Sequence, residues 1–372
     1  MLRWNDTLLD SMRQHGDPMA DRAIAALFAE QQTTAMNTLL KLFVHNDAAP
    51  PEAIPPTLRE FFLATETLPD WADRGLLERG SVFFGRCIPH IMLILNCYSL
   101  PASYTMRKGV QVLHRTARLH ANPRRRIMET GQMIIDVLRP DGLAAGGYGI
   151  RSVQKVRLMH AAVRHLVQQQ PWDSADLGVP INQEDMAGTL NTFGYLVLDG
   201  LQKLGIEYQT DEAEAYLHTW AVVGHLMGVH PVLRANNAAE AEILSHRIAD
   251  RNYEPCDEGR ELMTALLDYF GEGMPRTPLT NVPVMLMRHF MGDEPCDAMH
   301  LPPANALRHT LKPLRMFNRL AHKTGTAIEP LGEWTAKLGY QMLDMMLQVE
   351  RGSNRTPFAI PSELRETWGI RQ

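Results

Sequence analysis

The chain has 372 residues, 45% of them hydrophobic and 21% charged, a globular balance that excludes a disordered or low-complexity protein. Its formal net charge of −5 gives no global argument for nucleic acid or an anionic membrane surface as a partner. Cys87, Cys97, Cys256 and Cys296 include no CxxC pair, and a chain of this size needs no disulfide staples, so they read as thiols in a reducing, cytoplasmic compartment.

The N-terminus, MLRWNDTLLDSMRQHGD, carries early acids and no long apolar core, so it does not read as an export signal. Residues 1–47 predict two or three helices. Asp17 is a natural N-cap before Pro18, and Ile24, Leu27, Phe28, Leu39, Leu42 and Phe43 recur at helical spacing. Ala48 to Pro56, AAPPEAIPP, is a proline-rich connector. It divides an N-terminal helical arm, 1–47, from a main body over 57–351; a proline-punctuated tail, 352–372, follows.

Within the body, Ile88 to Leu100 is the most apolar run. It is short and carries Pro89 and His90, which predicts a buried helix and no membrane span. From Arg79 to Met128 there is no Asp or Glu, while Arg79, Arg86, Arg107, Lys108, Arg115, Arg118 and Arg124 to Arg126 crowd the same stretch. So many cations of one sign need negative partners, and in an acidic chain acids elsewhere in the fold are the first choice, nucleic acid the last. Asn122-Pro123 opens a helix that runs to about Leu138, with Arg126, Thr130, Met133 and Val137 on one face. A glycine-rich turn, Asp141 to Gly149, reverses the chain.

The following stretch, RSVQKVRLMHAAVRHLVQQQ from Arg151, places Val153, Val156, His160, Val163 and Val167 on one helical stripe. His160 stands where an aliphatic residue is expected. Arg157 lies three residues before it and Arg164 four after. One reading is a core histidine with two arginines in structural ion pairs. The other is a haem, with iron on the imidazole and propionates near the guanidinium groups.

Downstream, Asn182 caps a helix whose stripe runs Met186, Leu190, Phe193, Val197 and Leu201, to a stop at Gly205. The next carries Trp220 and ends near Gly228, with Gly224 and Gly228 suited to the close approach of a neighbouring helix. Helices are also expected over Ala238 to Ile248 (capped by Asn237), Arg260 to Phe270 and Glu333 to Glu350. His218, His225 and His230 lack the carboxylates or cysteines of a zinc site. No period-two alternation is sustained anywhere, so the fold is expected to be all-α. Nucleophile elbows, HExxH, P-loops, strand-linked GxGxxG and paired Glu-x-x-His motifs are missing too.

Ser103 to Val167 resembles the catalytic core of the latex-clearing-protein (rubber oxygenase) and MpaB-type oxygenase family. The matching text is SYTMRKGVQVLHRTARLHANPRRRIMET followed by GGYGIRSVQKVRLMHAAVRHLV. VRLMHAAVR, Val156 to Arg164, is its strongest part, the R-x-x-x-T block from Arg126 to Thr130 the second, and INQEDMAGTL, Ile181 to Leu190, a third. The resemblance implies a haem b protein with a globin-like helical core and additional surrounding helices. His160 matches the axial iron ligand, and Arg126 and Thr130 match positions that shape the haem pocket.

In the rubber-cleaving members, O2-dependent cleavage of an isoprenoid double bond gives carbonyl products. Those members are secreted. They use a glutamate N-terminal to the R-x-x-x-T block and a lysine inside it; here Arg79 to Met128 holds no carboxylate and Glu129 takes the in-block position. The expectation is therefore a haem-dependent oxygenase using O2 on an apolar small molecule, with Glu129 as the candidate acid and Arg157 and Arg164 meeting propionates or acids bracketing the helix. His90, His114 and His120 are candidate second axial ligands. The rival expectations are a haem-binding sensor or carrier, a catalytically silent helical relative, and a haem-free interaction protein.

Overall fold

A computed structural model of the chain describes residues 3–31, 37, 43–116, 123–271 and 281–303, with backbone only for 123–126. Among these residues the fold is all-α; the one extended feature is an isolated bridge between Met106 and Tyr253. The expected Glu333 to Glu350 helix and the tail lie outside the described residues.

Helix α1, Asp6–Arg13, and α2, Pro18–Ala29, begin as their sequences dictate: Asn5 Oδ1 accepts from the Leu8 N–H and Asp17 Oδ1 from the Ala20 N–H, each filling an orphan donor of the first turn. After the proline-rich connector comes α3, Pro56–Ala64. Helix α4, Arg74–Ile94, is capped by Asp73 and continues without a break through a π-turn, Leu95–Ser99, and a final turn, Leu100–Tyr104. The apolar run is thus the C-terminal part of one continuous helix. By length and composition that segment would also suffice to cross a membrane, yet 61% of its apolar stretch is buried inside the protein.

Then follow α5, Arg107–Arg115, α6, Pro123–Leu138, and α7, Gly149–Gln168, which carries His160. Helices α8, Gln183–Phe193, and α9, Tyr195–Lys203, were expected as one. Gly194, with φ −90° and ψ −87°, breaks them apart where Leu217 and Trp220 crowd the backbone. The rest of the described chain forms α10, Thr210–Leu226, α11, Ala238–Asn252, α12, Asp257–Gly271, and α13, Val282–Met291. Helix α13 takes up the apolar stretch Val282 to Met287; Pro283 sits in its first turn, where a missing N–H costs nothing.

The main core gathers around α4 and α10, which form the most extensive helix pair. Gly80 permits it: a Cβ there would lie 2.5 Å from Thr219 Oγ1 and 2.8 Å from the Ala215 carbonyl. Gly224 has the expected role, with Leu190 of α8 seated where its side chain would be. A second cluster joins Ala20, Ala23, Ile24 and Leu27 of α2, Leu58, Phe61 and Phe62 of α3, and Leu158, Ala161 and Ala162 of α7. The N-terminal arm therefore lies against the body, packed on the histidine helix. The cations of the acid-free stretch meet acids from distant elements, as charge balance required: Arg86 pairs with Glu212 (2.7 Å), and Arg107 with Asp176 (2.8 Å) and Glu254 (2.7 Å).

Candidate functional site

Helix α7 is fixed from its first residues. Asn46, in the loop before the connector, accepts the backbone N–H groups of Ile150 and Arg151 at Oδ1 and donates from Nδ2 to the Gly142 and Ala144 carbonyls. It thereby caps α7 and braces the glycine-rich turn at once, although it is remote in sequence. Arg151, 1% exposed, donates to the Ala48 carbonyl (2.9 Å) and pairs with Glu66 (2.9 Å). Its guanidinium lies over the Phe43 ring.

The next two arginines are fixed in the same way. Arg157 forks onto Asp17, Nε to Oδ2 at 2.5 Å and Nη2 to Oδ1 at 2.9 Å, and donates from Nη1 to the Leu226 carbonyl at the end of α10. Arg164 pairs with Asp21 and donates to the carbonyls of Pro180 (3.0 Å) and Ile181 (3.0 Å). Burial pushes the Asp21 carboxyl above its usual range even though Arg164 pulls it down. Of the two kinds of partner expected for Arg157 and Arg164, the structure shows the acids bracketing the helix.

The opposite flank of α7 packs on α6. Ser152 Oγ donates to Asp136 Oδ2 (2.5 Å), and Gln132 Nε2 donates to Asp136 Oδ1 (2.7 Å), inside the pair. About two turns from that contact on each antiparallel helix, His160 comes level with Met128 and Glu129. Here burial relaxes. Ile127 to Thr130 and Val156, Met159 and His160 are only half-buried, while Ile134, Ile135, Val153 and Leu158 nearby are buried. Gly131 is buried, yet a Cβ on it would meet nothing among the described residues within 4 Å. Ile127 to Thr130 of α6 and Val156, Met159 and His160 of α7 thus form the less tightly packed end of the pair.

Such a donor set is informative. Among the described residues no three His, Cys, Asp or Glu side chains converge as a metal cluster. A lone imidazole cannot chelate a bare ion; a metal held there has to bring its own ligands, as a porphyrin does. A single imidazole with the apolar Met128 and Val156 at the same level of the helix pair fits that group.

The other candidates are scattered. The side chain of Arg126 and the whole of His120 lie outside the described residues. His114 Nε2 is 2.9 Å from Glu261 Oε2 on α12, and His90 is half-buried on α4. His218 and His225 both lie edge-on to Trp71 and ligate nothing together. What sequence reasoning missed is the acid pair Asp17 and Asp21. Asp17 showed only as an N-cap; its spacing of four from Asp21 was the one available signal for two partners on a single helix face.

Comparison with known proteins places this geometry. Residues 89–323 match the model of the family described as ER-bound oxygenase mpaB/B'/Rubber oxygenase, catalytic domain. The chain is 31% identical over 260 residues to the Rubber oxygenase of Streptomyces sp. (strain K30), an alignment covering 69% of this chain and 63% of that protein. This chain therefore matches less than two thirds of the Streptomyces protein's length. The structure of Latex Clearing Protein LCP in the closed state superimposes with a TM-score of 0.76 at 25% identity, covering 88% of this chain and 91% of that one. The seam carrying His160 falls inside the matched region and α1 to α3 fall before it, and on that match the chain belongs to the MpaB and rubber oxygenase family through its catalytic domain.

Proposed function

We propose that this protein is a haem b-dependent oxygenase that uses O2 to oxidise or cleave an apolar, unsaturated small molecule, with residues 57–351 as the catalytic unit. The observation that supports this most is the half-buried imidazole of His160 on an otherwise apolar stripe of α7, within the region matched to an oxygenase catalytic domain. One ring nitrogen of His160 would hold the iron, and the other needs an acceptor that fixes the tautomer. Bound there, the haem would supply the O2-activating iron that no side chain can.

The remaining work falls to the chain itself. Met128 and Val156 would give the site apolar walls that suit an apolar substrate. Thr130 would supply a hydroxyl donor and Glu129 a carboxyl as the polar groups of the proposed site. Arg126, one turn before Thr130, completes the proposed catalytic set. The thiols of Cys87 and Cys97 are raised by burial to about 11 and about 12, which leaves them protonated and unreactive.

A visible absorption spectrum of protein expressed with haem supply, recorded beside His160→Ala, tests the reading. A Soret band that the substitution removes or strongly shifts is expected. Wild-type protein that stays colourless and takes up no added haem overturns it. Bound haem whose iron reacts with neither O2 nor CO would leave a carrier in place of an oxygenase.

A further inference from the structure

His160 sits between two arginines, and both are held by one short helix. Arg157 forks onto Asp17, while Arg164 meets Asp21 one turn further along α2. The backbone around both contacts is bare. A Cβ at Gly16 would come within 2.8 Å of Arg164 Nε and 3.0 Å of Asp21 Oδ2, and one at Gly228 within 2.6 Å of Arg157 Cζ. Neither guanidinium has room to slide. With Arg151 held by Glu66 and the Ala48 carbonyl, α7 is tied at three heights to residues that precede the matched catalytic region.

The geometry points to a role for this clasp: Asp17 and Asp21 are positioning residues for His160, setting the rotation and height of α7 so that the imidazole faces the seam with α6. The inference rests on the reading of His160 as the iron ligand. The sensitivity is steep. A ring carried about 6 Å from a helix axis moves about 1 Å for every ~10° of helix rotation. Misplacement on the order of 1 Å in a reacting group is enough to cost about a hundredfold in rate. Fork-on-fork pairing of Arg157 fixes orientation as well as distance, which a Lys–Asp contact would not do.

The test uses the full chain, with Asp17→Asn, Asp21→Asn and Gly16→Ala, and with Asp6→Asn as control. Asp6 pairs with Arg247 and Arg251 on α11, away from α7. Two readouts apply: the histidine Cε1–H NMR spectrum of haem-free protein, with the His160 peak identified by its loss in His160→Ala, and the dissociation constant for added haem. The clasp predicts that Asp17→Asn and Asp21→Asn move the His160 peak, that the control does not, and that haem binds at least tenfold more weakly. Asp21→Glu, which keeps the charge, should recover most of the effect. Folded variants whose His160 peak and haem affinity match wild type overturn the inference. If the Asn variants do not fold, Gly16→Ala decides, because it wedges the Arg164 contact without removing a charge. If wild type binds no haem, the proposed function fails while the NMR comparison still decides whether the clasp sets the histidine.

Discussion

The His218 ring accepts a hydrogen bond at Nε2 from the Asp73 backbone N–H (2.9 Å), which only the neutral imidazole can do. Burial lowers its pKa below the usual 6.5, helped by Arg234 and opposed by Asp73. The unfolded chain therefore takes up this proton first. The stabilisation is complete above pH 6.5 and is lost as pH falls through the lower folded-state value. His218→Gln, which keeps an acceptor and cannot titrate, should flatten the acid-side fall in thermal stability between pH 7.5 and 5.5. One proton sets a ceiling of about 1.4 kcal/mol per pH unit, and the ring's partial exposure keeps the change below it. An unchanged slope in the variant would remove His218 from the account. Asp21 runs the other way: its carboxyl is raised by burial, so its contribution is present at low pH and lost as pH rises through the folded-state value. Burial outweighs the pull of Arg164 on this carboxyl, so the Arg164 pair is better understood as setting geometry than as adding stability.

Among the elements, the contact of α4 with α10 is the tightest constraint on the core. A methyl at Gly80 would meet the Ala215 carbonyl at 2.8 Å, and backbone, unlike a flexible side chain, cannot turn aside. Gly80→Ala should separate the two helices and cost about 1–3 kcal/mol, read as a lower denaturant midpoint at unchanged slope. A midpoint at or above wild type would mean the pair adjusts freely. The sequence made individual helices legible wherever the signal was local. Asp17-Pro18, Asn182 and Asn237 all cap as their chemistry dictates, because an N-cap and its N–H partner lie within three residues. His160 was legible for the same reason, a polar residue in an apolar stripe. Local pattern could not give the break at Gly194, whose backbone lies against Leu217 and Trp220 of another helix, nor the π-turn that continues α4. Least legible were the partners of Arg157 and Arg164. Ion pairs between residues some 140 positions apart leave no periodic trace, so acids and propionates were equally admissible on sequence alone.

For the molecule as a whole, the question is whether the catalytic unit stands without its N-terminal helices. The family match begins at residue 89, and the proline-rich connector invites a boundary at 57. The packing argues against independence. Ala20, Ala23, Ile24 and Leu27 of α2 are fully buried against α3 and α7, and their removal uncovers Leu158, Ala161, Ala162, Phe61 and Phe62 together. Each fully buried large aliphatic or aromatic side chain is worth about 1.5–3 kcal/mol, so the uncovered cluster amounts to on the order of 5–10 kcal/mol. A whole domain is stable by only about 5–15 kcal/mol. Deletion also differs in kind from Asp17→Asn: the point variant leaves Arg157 buried beside a weakened partner, whereas deletion hydrates the arginines and charges the loss to apolar surface. A chain beginning at residue 57 should therefore bind a hydrophobic dye and lose a sharp thermal transition, with aggregation following from the exposed face. Cooperative melting within a few degrees of the full chain would show the opposite, that residues 57–351 form a self-sufficient unit and that α1 and α2 only tune the placement of its histidine.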